Sequence, residues 1–363
     1  MLALVGMLAF GQPPDPERWP LMDHLRDSKT GDWLERNHIQ ISGWAESSFT
    51  GATQTRGDLV TGFNFLPNQY MLQQNWIRID RPVKADQADL GFHFDCILPG
   101  TDYRFTLARG LFDGQLTAND GGPNLYGIDP IQFYFDWRIP GVLEGLTVRV
   151  GRFFCPYGID SVAAPDNILA TDSYSDFYDP FTLTGILTTL KLNDTWTLVN
   201  GVVLGPDTFF DPVARPTYIG RIEWQRPGSA FSWSSSLLLT PGGYNVAEQK
   251  NMESLVDLVW TYDLDKRNRL GGEFIFGWED NVPDIGLATW FGIQGYYRYF
   301  VNSNYDWAAR LEFFDDIQGQ RTGFPGLYTA LTTGINYYPI SALLIRPNLR
   351  ADVNSESKPF NGK

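Results

Sequence analysis

The sequence is poor in cysteine, histidine and basic residues. Its 363 residues include two cysteines and three histidines, which argues against a disulfide framework and leaves little for metal chemistry. Lys and Arg total 28 against 42 Asp and Glu, and the net charge is −14. A nucleic-acid-binding protein needs a basic surface, so nucleic acid is excluded as a partner. We expect neither a metal ion nor an organic cofactor.

Long apolar runs are also absent beyond the amino terminus. After residue 11, no run approaches the length of about 18 apolar residues that a membrane-spanning helix requires. Phe, Trp and Tyr nevertheless make up 15% of the chain, which excludes disorder because so much aromatic surface can be buried. Together with 36 Gly and 23 Pro, this composition favours a large all-β protein.

The first eleven residues are apolar and end in Ala9-Phe10-Gly11. This pattern is typical of the hydrophobic part and cleavage site of a secretory signal, so residues 1–11 are interpreted as a partial signal peptide. The basic residues that normally precede it are missing, which indicates that Met1 is an internal methionine of a longer reading frame. A buried apolar strand is the alternative. Residues 12–38 are interpreted as a periplasmic lead-in, with a helical pattern only around 19–37.

From His38 onward, apolar and polar residues alternate with period two, which is typical of β-strands. The pattern predicts fifteen strands of about 9–14 residues. A strand that crosses a bilayer needs about 9–11 residues, whereas strands of globular proteins average about 5–6, so the length favours a membrane barrel. The predicted strands cover residues 39–50, 69–82, 87–98, 130–139, 146–154, 183–192, 195–204, 216–226, 231–239, 254–264, 270–279, 288–301, 305–315, 327–338 and 341–352.

The connections between these strands alternate strictly between short and long. Turns such as 339–340 alternate with loops such as 99–129 and 155–182. Bacterial outer-membrane barrels have this arrangement and an even number of strands. We therefore predict a transmembrane antiparallel β-barrel over residues 39–363 with about sixteen strands, the last of which is missing because the sequence is truncated at its carboxyl end. Segment 102–112 is kept in a loop, because a strand there would break the alternation.

The two faces of the strands differ in charge. In ten strands of clear register, the apolar faces comprise 43 positions, and none is charged. A charge facing lipid costs roughly 2–4 kcal/mol, so this face is predicted to contact lipid and the opposite face to line water. The candidate pore-lining residues are Arg149, Arg221, Glu273, Arg298, Arg310, Glu312, Arg346 and Arg350. Tryptophans at strand positions are predicted to form interfacial girdles, namely Trp44, Trp76, Trp137, Trp224, Trp233, Trp260 and Trp278.

Two further details concern single residues. Pro347 lies inside the last predicted strand, where it removes a ladder hydrogen bond and predicts a bulge or break. Cys96 and Cys155 fall near the outer ends of two strands that run in the same direction. A disulfide between them is left open.

A series of short motifs runs in order along most of residues 70–352. The run Val150-Gly151-Arg152-Phe153-Phe154 is followed by Pro156-Tyr157-Gly158 and Asp179-Pro180-Phe181, and Arg346-Pro347-Asn348 comes later. In this order the motifs resemble the β-barrel porins described as OmpL-like, within the porin superfamily of outer-membrane channels. The resemblance implies a barrel in the outer membrane of a Gram-negative-type bacterium that passes small solutes, and it implies no catalytic residues.

The connection 155–182, called the third loop below, is predicted to form the constriction of the channel. The resemblance implies its position, because sixteen-stranded porins fold the loop after the fifth strand into the lumen. Independently, the loop contains no Lys or Arg, and its five aspartates would repel one another unless they face the arginines of the wall. These aspartates are Asp160, Asp166, Asp172, Asp176 and Asp179. A loop that only covers the pore mouth is the alternative.

Three functions remain open at this point. The first is an outer-membrane porin for passive diffusion of small hydrophilic solutes, surrounded by outer-membrane lipid and, by analogy with sixteen-stranded porins, assembled as a homotrimer. The second is an outer-membrane barrel acting as a substrate-specific receptor or adhesin. The third is a secreted carbohydrate-binding or carbohydrate-active β protein, with Glu273 and Glu312 as acid and base. Wetted pore-lining charges explain these glutamates better, and no enzyme activity is expected.

Overall fold

The computed structural model describes residues 20–53, 62–212, 214–244 and 250–361. The segment interpreted as a signal peptide, 1–11, lies outside the described residues. In the described part of the chain, no helix is long and apolar enough to span a bilayer.

Two short helices precede the sheet. Helix α1 spans Pro20–Leu25 and helix α2 spans Lys29–Arg36. The Ser28 hydroxyl accepts a hydrogen bond from the Gly31 amide at 3.0 Å, which is how a serine caps the start of a helix. The helical pattern around 19–37 is thus confirmed in its described part.

The rest of the chain forms one antiparallel sheet of sixteen strands. Strands β9 to β14 contain 12 to 17 residues, long enough to cross a bilayer at a tilt. The strands are β1 Gln40–Thr50, β2 Gln69–Arg81, β3 Asp89–Gly100, β4 Gly127–Ile139, β5 Leu146–Phe154, β6 Thr182–Lys191, β7 Trp196–Pro206, β8 Thr217–Gln225, β9 Phe231–Tyr244, β10 Lys250–Asp263, β11 Asn268–Val282, β12 Gly286–Asn302, β13 Tyr305–Asp316, β14 Gly326–Ile340, β15 Leu343–Ile345 and β16 Asn348–Asn354.

The sheet is an up-and-down meander in which strands β1 to β14 pair with their neighbours in sequence. Strands β15 and β16 both pair with β14, so they are two parts of one span interrupted at Arg346 and Pro347. The break predicted at Pro347 is confirmed, because proline cannot donate a ladder hydrogen bond. Fifteen spans therefore make up the sheet. In the described residues, β1 pairs with β2 and not with β15 or β16.

The connections alternate in length as predicted from β1 to β9, but the strict alternation does not continue. The turn between β6 and β7 contains four residues, 192–195, whereas the loop between β3 and β4 contains 26, 101–126. The predicted long loop 280–287 is reduced to three residues, 283–285, fewer than the four of the preceding turn 264–267, because β11 and β12 extend into it. The predicted long loop 240–253 is also shorter, since β9 ends at Tyr244 and β10 begins at Lys250.

Segment 102–112 is not a strand, since it contains helix α3, Tyr103–Thr106. The third loop contains helix α4, Tyr174–Phe177, and Thr182 at its end is the first residue of β6.

The two faces of the sheet differ in exposure. On β13, Arg310 is 1% exposed and Glu312 is 2% exposed. The residues that alternate with them are far more exposed, Leu311 at 45% and Phe313 at 38%. The same alternation continues along β12. The apolar face therefore points outward, and the charged face points inward, where the third loop covers much of it.

Two tryptophans and two positions of the apolar face differ from the prediction. Trp76 is buried and stacks on Trp44 with ring centroids 4.6 Å apart, and Trp44 donates to the Gln74 side chain, so both rings lie on the inner face instead of in a girdle. Cys96 and Ile131 are buried, because the register between β3 and β4 shifts beside them and Ile131 packs into an aromatic cluster. Alternation alone cannot predict such a shift.

The hydrophobic core lies between the inner face of the sheet and the third loop. Tyr157 and Tyr174 of the loop pack in one cluster with Leu255 and Trp290 of the wall. Cys155 belongs to the same cluster. Both it and Cys96 are free thiols, so the disulfide left open by the sequence is not formed.

Candidate functional site

The third loop touches strands across nearly the whole width of the sheet. The Gln74 side chain on β2 donates to the Val162 carbonyl at 2.8 Å, and the Asn336 side chain on β14 donates to the Ile168 carbonyl at 2.9 Å. Arg221 on β8, between them in strand order, donates to a carbonyl at the start of the loop. One loop can reach these three strands from the same face only if the sheet curls around it.

Arg310 on β13 contacts the third loop at several points. Its guanidinium donates to the carbonyl oxygens of Thr171 and Asp172, each at 2.8 Å. It also pairs with Asp160 of the loop at 3.4 Å and with Glu312 of its own strand at 3.1 Å. Two carboxylates and two carbonyls thus offset the cost of burying this cation.

Glu312 connects the wall to helix α4 of the loop. Its carboxylate accepts from the Tyr174 amide at 2.8 Å and pairs with Arg350 on β16 at 3.2 Å. Arg350 also pairs with Asp352 at 2.8 Å and donates to the Asp172 carbonyl at 2.7 Å. Because the Tyr174 hydroxyl donates to Asp352 at 2.8 Å, the network closes on itself and fixes α4 against the wall.

A second group of contacts holds the middle of the loop. Arg346 donates to two carbonyl oxygens of the third loop, both at 3.1 Å, and to the Asn336 side chain at 2.9 Å. Asn336 also donates to Asp306 at 2.7 Å, and Asp306 pairs with Arg298 at 2.8 Å. Arg298 is thus joined to the loop through this relay.

The remaining candidate pore-lining residues lie away from these contacts. Arg149 pairs with Asp136 at 2.8 Å on the neighbouring strand. Arg221 pairs with Glu223 at 2.7 Å, in addition to its contact with the start of the loop. Glu273 lies on the inner face of β11, among buried polar side chains.

The five loop aspartates do not form one exposed cluster. Asp160 accepts hydrogen bonds from the Tyr296 hydroxyl at 2.7 Å and the Ser173 amide at 3.0 Å. Among the five loop aspartates, as far as the structure describes the chain, it is the one that forms an ion pair with a candidate pore-lining arginine, Arg310. Three of the five are buried, namely Asp160, Asp172 and Asp179. The other two, Asp166 and Asp176, are partly exposed. The arginines therefore hold the loop mainly through its carbonyl oxygens.

Burial also keeps part of the loop close to neutral. Burial, reinforced by the Asp160 carboxylate, raises the pKa of Asp172 to about 7, although Arg310 acts in the opposite direction. Burial, followed by the Asp172 carboxylate, raises the pKa of Asp176 well above its usual value. Near neutral pH, the loop therefore carries less negative charge than five aspartates would give.

A small cavity lies between the third loop and the first two strands. Its polar lining residues are Glu46, Gln73, Gln74, Asp102, Asp172 and Arg346. Three carboxyl groups and one guanidinium thus share this space. The Gln74 side chain fixes part of the lining, because it donates to Asp102 at 2.9 Å and accepts from Trp44 at 2.8 Å.

Sequence reasoning missed four acids of this region, Glu46, Asp102, Asp306 and Asp352. One signal could have found Asp352, since residues two apart on a strand share a face and Asp352 follows Arg350 at that spacing. No such signal marks Glu46 or Asp102, because only the tertiary fold brings them to the cavity. Among the described residues, no group of three or more His, Cys, Asp or Glu side chains could hold a metal ion.

An antiparallel sheet that curls around an inserted loop, apolar outside and charged inside, is the architecture of an outer-membrane β-barrel. The chain belongs to the family described as "putative beta-barrel porin-2, OmpL-like", whose profile matches residues 38–363. This membership confirms the resemblance found in the motifs. No curated protein sequence matches the chain.

Solved outer-membrane proteins share this fold. A loop-deletion mutant of OmpT, an outer-membrane protein of Vibrio cholerae, superposes with a TM-score of 0.58 at 9% identity, covering 88% of this chain and 95% of that chain. An anion-selective porin from Comamonas acidovorans gives a TM-score of 0.54 at 12% identity, covering 88% and 90%. The trimer form of OmpT gives 0.54 at 10% identity, covering 87% and 89%. At these identities the likeness concerns the fold alone.

Proposed function

We propose that this chain is a porin in the outer membrane of a Gram-negative-type bacterium, through which small hydrophilic solutes diffuse passively. The observation that carries the proposal is the division of the sheet into an exposed apolar face and an ion-paired inner face. A charge toward lipid costs about 2–4 kcal/mol, whereas a charge in an aqueous lumen is hydrated or paired.

The proposed passage follows the cavity between the third loop and the first strands. Glu46, Asp102 and Asp172 would face Arg346 there, and opposed charges across a narrow passage sort solutes by their charge. Elsewhere the loop packs closely against the inner wall. In this proposal the third loop narrows the channel, as the sequence suggests.

The surroundings of the barrel are part of the proposal. Outer-membrane lipid would cover the apolar face, and a homotrimer is supported by the trimer form reported for OmpT. The two helices ahead of β1, within residues 12–38, would lie on the periplasmic side, because they precede the strand end that carries the short turns.

A substrate-specific receptor is the second candidate. It is favoured by the close packing of the third loop, which leaves a small cavity in the described interior. The carbohydrate-active alternative has no comparable support. Glu312 is occupied by Arg310 and Arg350, and it is therefore a poor general acid or base.

Single-channel recording in a planar bilayer tests the proposed function. We expect discrete conductance steps from the folded barrel. At pH 8, above the pKa of Asp172, we also expect a shift of selectivity toward anions when Asp166, Asp172 and Asp176 are changed to Asn. Asp263→Asn, at an exposed turn end, is the control and should leave selectivity unchanged. Absence of any conductance would favour the receptor, and unchanged selectivity in the triple variant would mean that the loop aspartates do not face the passage.

A further inference from the structure

One patch of the inner wall, separate from the cavity, is rich in buried polar atoms without hydrogen-bond partners. It lies on strands β8 to β12 beneath the start of the third loop. Of 22 such atoms in the described residues, nine lie here, in Tyr157, Arg221, Ser234, Ser236, Ser254, Asp257, Glu273 and Gln294. Each buried polar atom without a partner costs free energy, so this concentration points to a bound group that the side chains share.

Two carboxyl groups lie at the centre of the patch. Asp257 pairs in register with Ile275, two residues from Glu273 on the same strand face. Both acids are more than nine-tenths buried, and the Asp257 carboxyl lies close to the Glu273 carboxyl, the Gly158 amide and the Ser236 hydroxyl. Even so, neither Asp257 oxygen has a partner of acceptable geometry, and the same holds for Glu273 Oε1.

One cation acts on these carboxyl groups, and it is shared. Arg221 acts electrostatically on Asp257, but its Nε pairs with Glu223 at 2.7 Å and its Nη1 donates to the Pro156 carbonyl. Its Nη2 has no partner, yet its single positive charge is already balanced by Glu223. One guanidinium cannot balance Glu223 and two further buried carboxylates, and the excess of buried negative charge is strongly unfavourable. The two carboxylates require either a bound cation or a shared proton.

Neutral oxygen atoms complete the set of candidate ligands. Gln294 lies directly opposite Glu273, and its Nε2 donates to Glu273 while its Oε1 has no partner. Ser236 lies directly opposite Asp257, and its hydroxyl also has no partner. Calcium takes six to eight oxygen ligands from carboxylates, amide carbonyls and water at flexible geometry, whereas Mg²⁺ retains most of its water. The oxygen set therefore suits calcium better.

We propose that Asp257 and Glu273, assisted by the side-chain oxygens of Gln294 and Ser236, bind one calcium ion on the inner wall. The ion would neutralise both carboxylates and stabilise the wall where Gly158 of the third loop passes over it, since a Cβ on Gly158 would stand 3.9 Å from Glu273 Oε1. The site has two carboxylates and no histidine or cysteine, so no metal-binding motif marks it in the sequence. It does not depend on the passage of solutes.

Equilibrium dialysis of the detergent-solubilised barrel against radioactive calcium tests this site. The unmodified chain should bind one calcium ion that Asp257→Asn and Glu273→Gln each bind at least tenfold more weakly. Gln294→Leu, which removes an oxygen but no charge, should weaken binding several-fold. Asp136→Asn is the matched control, because Asp136 is a buried inner-wall carboxylate that pairs with Arg149, and it should retain the ion.

Other outcomes are equally decisive. Equal calcium binding by the unmodified chain and all three site variants would overturn the proposal. The proposal would also be overturned if Asp257→Asn or Glu273→Gln raised the resistance of the barrel to heat and left calcium binding unchanged. That result would mean that the two carboxyl groups share a proton instead of binding an ion. If Asp257→Asn or Glu273→Gln does not fold, as judged by heat-modifiable migration, the calcium affinity of Gln294→Leu still tests the site. Conductance measured on the same preparations separates failure of the calcium site from failure of the channel.

Discussion

Arg152 is fully buried, and each of its nitrogen atoms has an acceptor. Nη1 pairs with Asp129 at 2.6 Å and donates to the Pro130 carbonyl at 3.0 Å. Nη2 donates to the Thr106 carbonyl at 2.5 Å, and Nε donates to the Thr182 hydroxyl at 3.2 Å. This one side chain ties β5 to β4, to β6 and to helix α3.

Removing this guanidinium should cost considerable stability. Arg152→Met leaves Asp129 buried without its cation, so we expect the free energy of unfolding to fall by about 3–5 kcal/mol. Urea unfolding in detergent, followed by tryptophan fluorescence, measures the change. Arg269→Met is the control, because its pair with Asp263 is partly exposed and such pairs contribute at most about 1 kcal/mol. Equal losses in the two variants would contradict the role given to Arg152.

At the scale of elements, the third loop depends on a close backbone approach as well as on ion pairs. Gly292, on the inner face of β12, lies under helix α4, and a Cβ there would stand 2.2 Å from Ser175 Oγ. A Cβ on Gly295 of the same strand would meet no atom within 4 Å. Gly295 lies on the outer face with Ile293, so only Gly292 makes room for the loop.

The two glycines form a matched pair for a test of loop position. Gly292→Ala should push α4 away from the wall, lower the free energy of unfolding by about 1–3 kcal/mol because of overpacking, and raise the single-channel conductance. Gly295→Ala should change neither quantity. If both variants conduct like the unmodified chain, displacement of α4 does not widen the passage.

The docked loop should also respond to pH through Asp172. Its pKa of about 7 in the docked loop exceeds the ordinary value near 4, so docking is favoured at acidic pH and weakens as pH rises through that interval. The charged groups that face Asp172 are Asp160, Arg310, Glu46, Asp102 and Asp176. We expect conductance to increase from pH 5 to pH 8, and the increase to shrink in Asp172→Asn. If conductance of Asp172→Asn depends on pH in the same way as that of the unmodified chain, a group other than Asp172 causes the response.

Strands and their faces could be predicted because they follow from local alternation, as Leu258 and Phe274 show. The girdle prediction is wrong for Trp76 because it uses residue type alone, whereas period-two spacing places Trp76 on the same strand face as Arg78 and Asp80. The third loop was located, but its contacts run through backbone carbonyls, which carry no side-chain signal. Residues such as Glu46 reach the cavity only through the curl of the sheet.

At the scale of the whole molecule, the outer face is a continuous belt of exposed apolar side chains. Phe135 on β4 is 69% exposed, Leu311 on β13 is 45% exposed, and Leu331 on β14 is 53% exposed. Soluble proteins rarely expose apolar patches larger than a few hundred Å², whereas lipid covers such a belt at no cost. The continuous belt is therefore stronger support for a membrane location than the alternation of any single strand.

A charge in this belt should destabilise the barrel according to its depth. Leu258 lies in the middle of β10 and is 38% exposed, whereas Tyr262 lies near the short turn and is 39% exposed. Leu258→Lys should therefore cost about 2–4 kcal/mol and Tyr262→Lys about 0–1 kcal/mol, because the cost of a lipid-facing charge falls from the bilayer midplane to the interface. Folding into lipid vesicles at increasing urea, scored by heat-modifiable migration, measures both. Since the two positions are equally exposed, a soluble β protein would lose similar stability at each, and that result would contradict a lipid-facing belt.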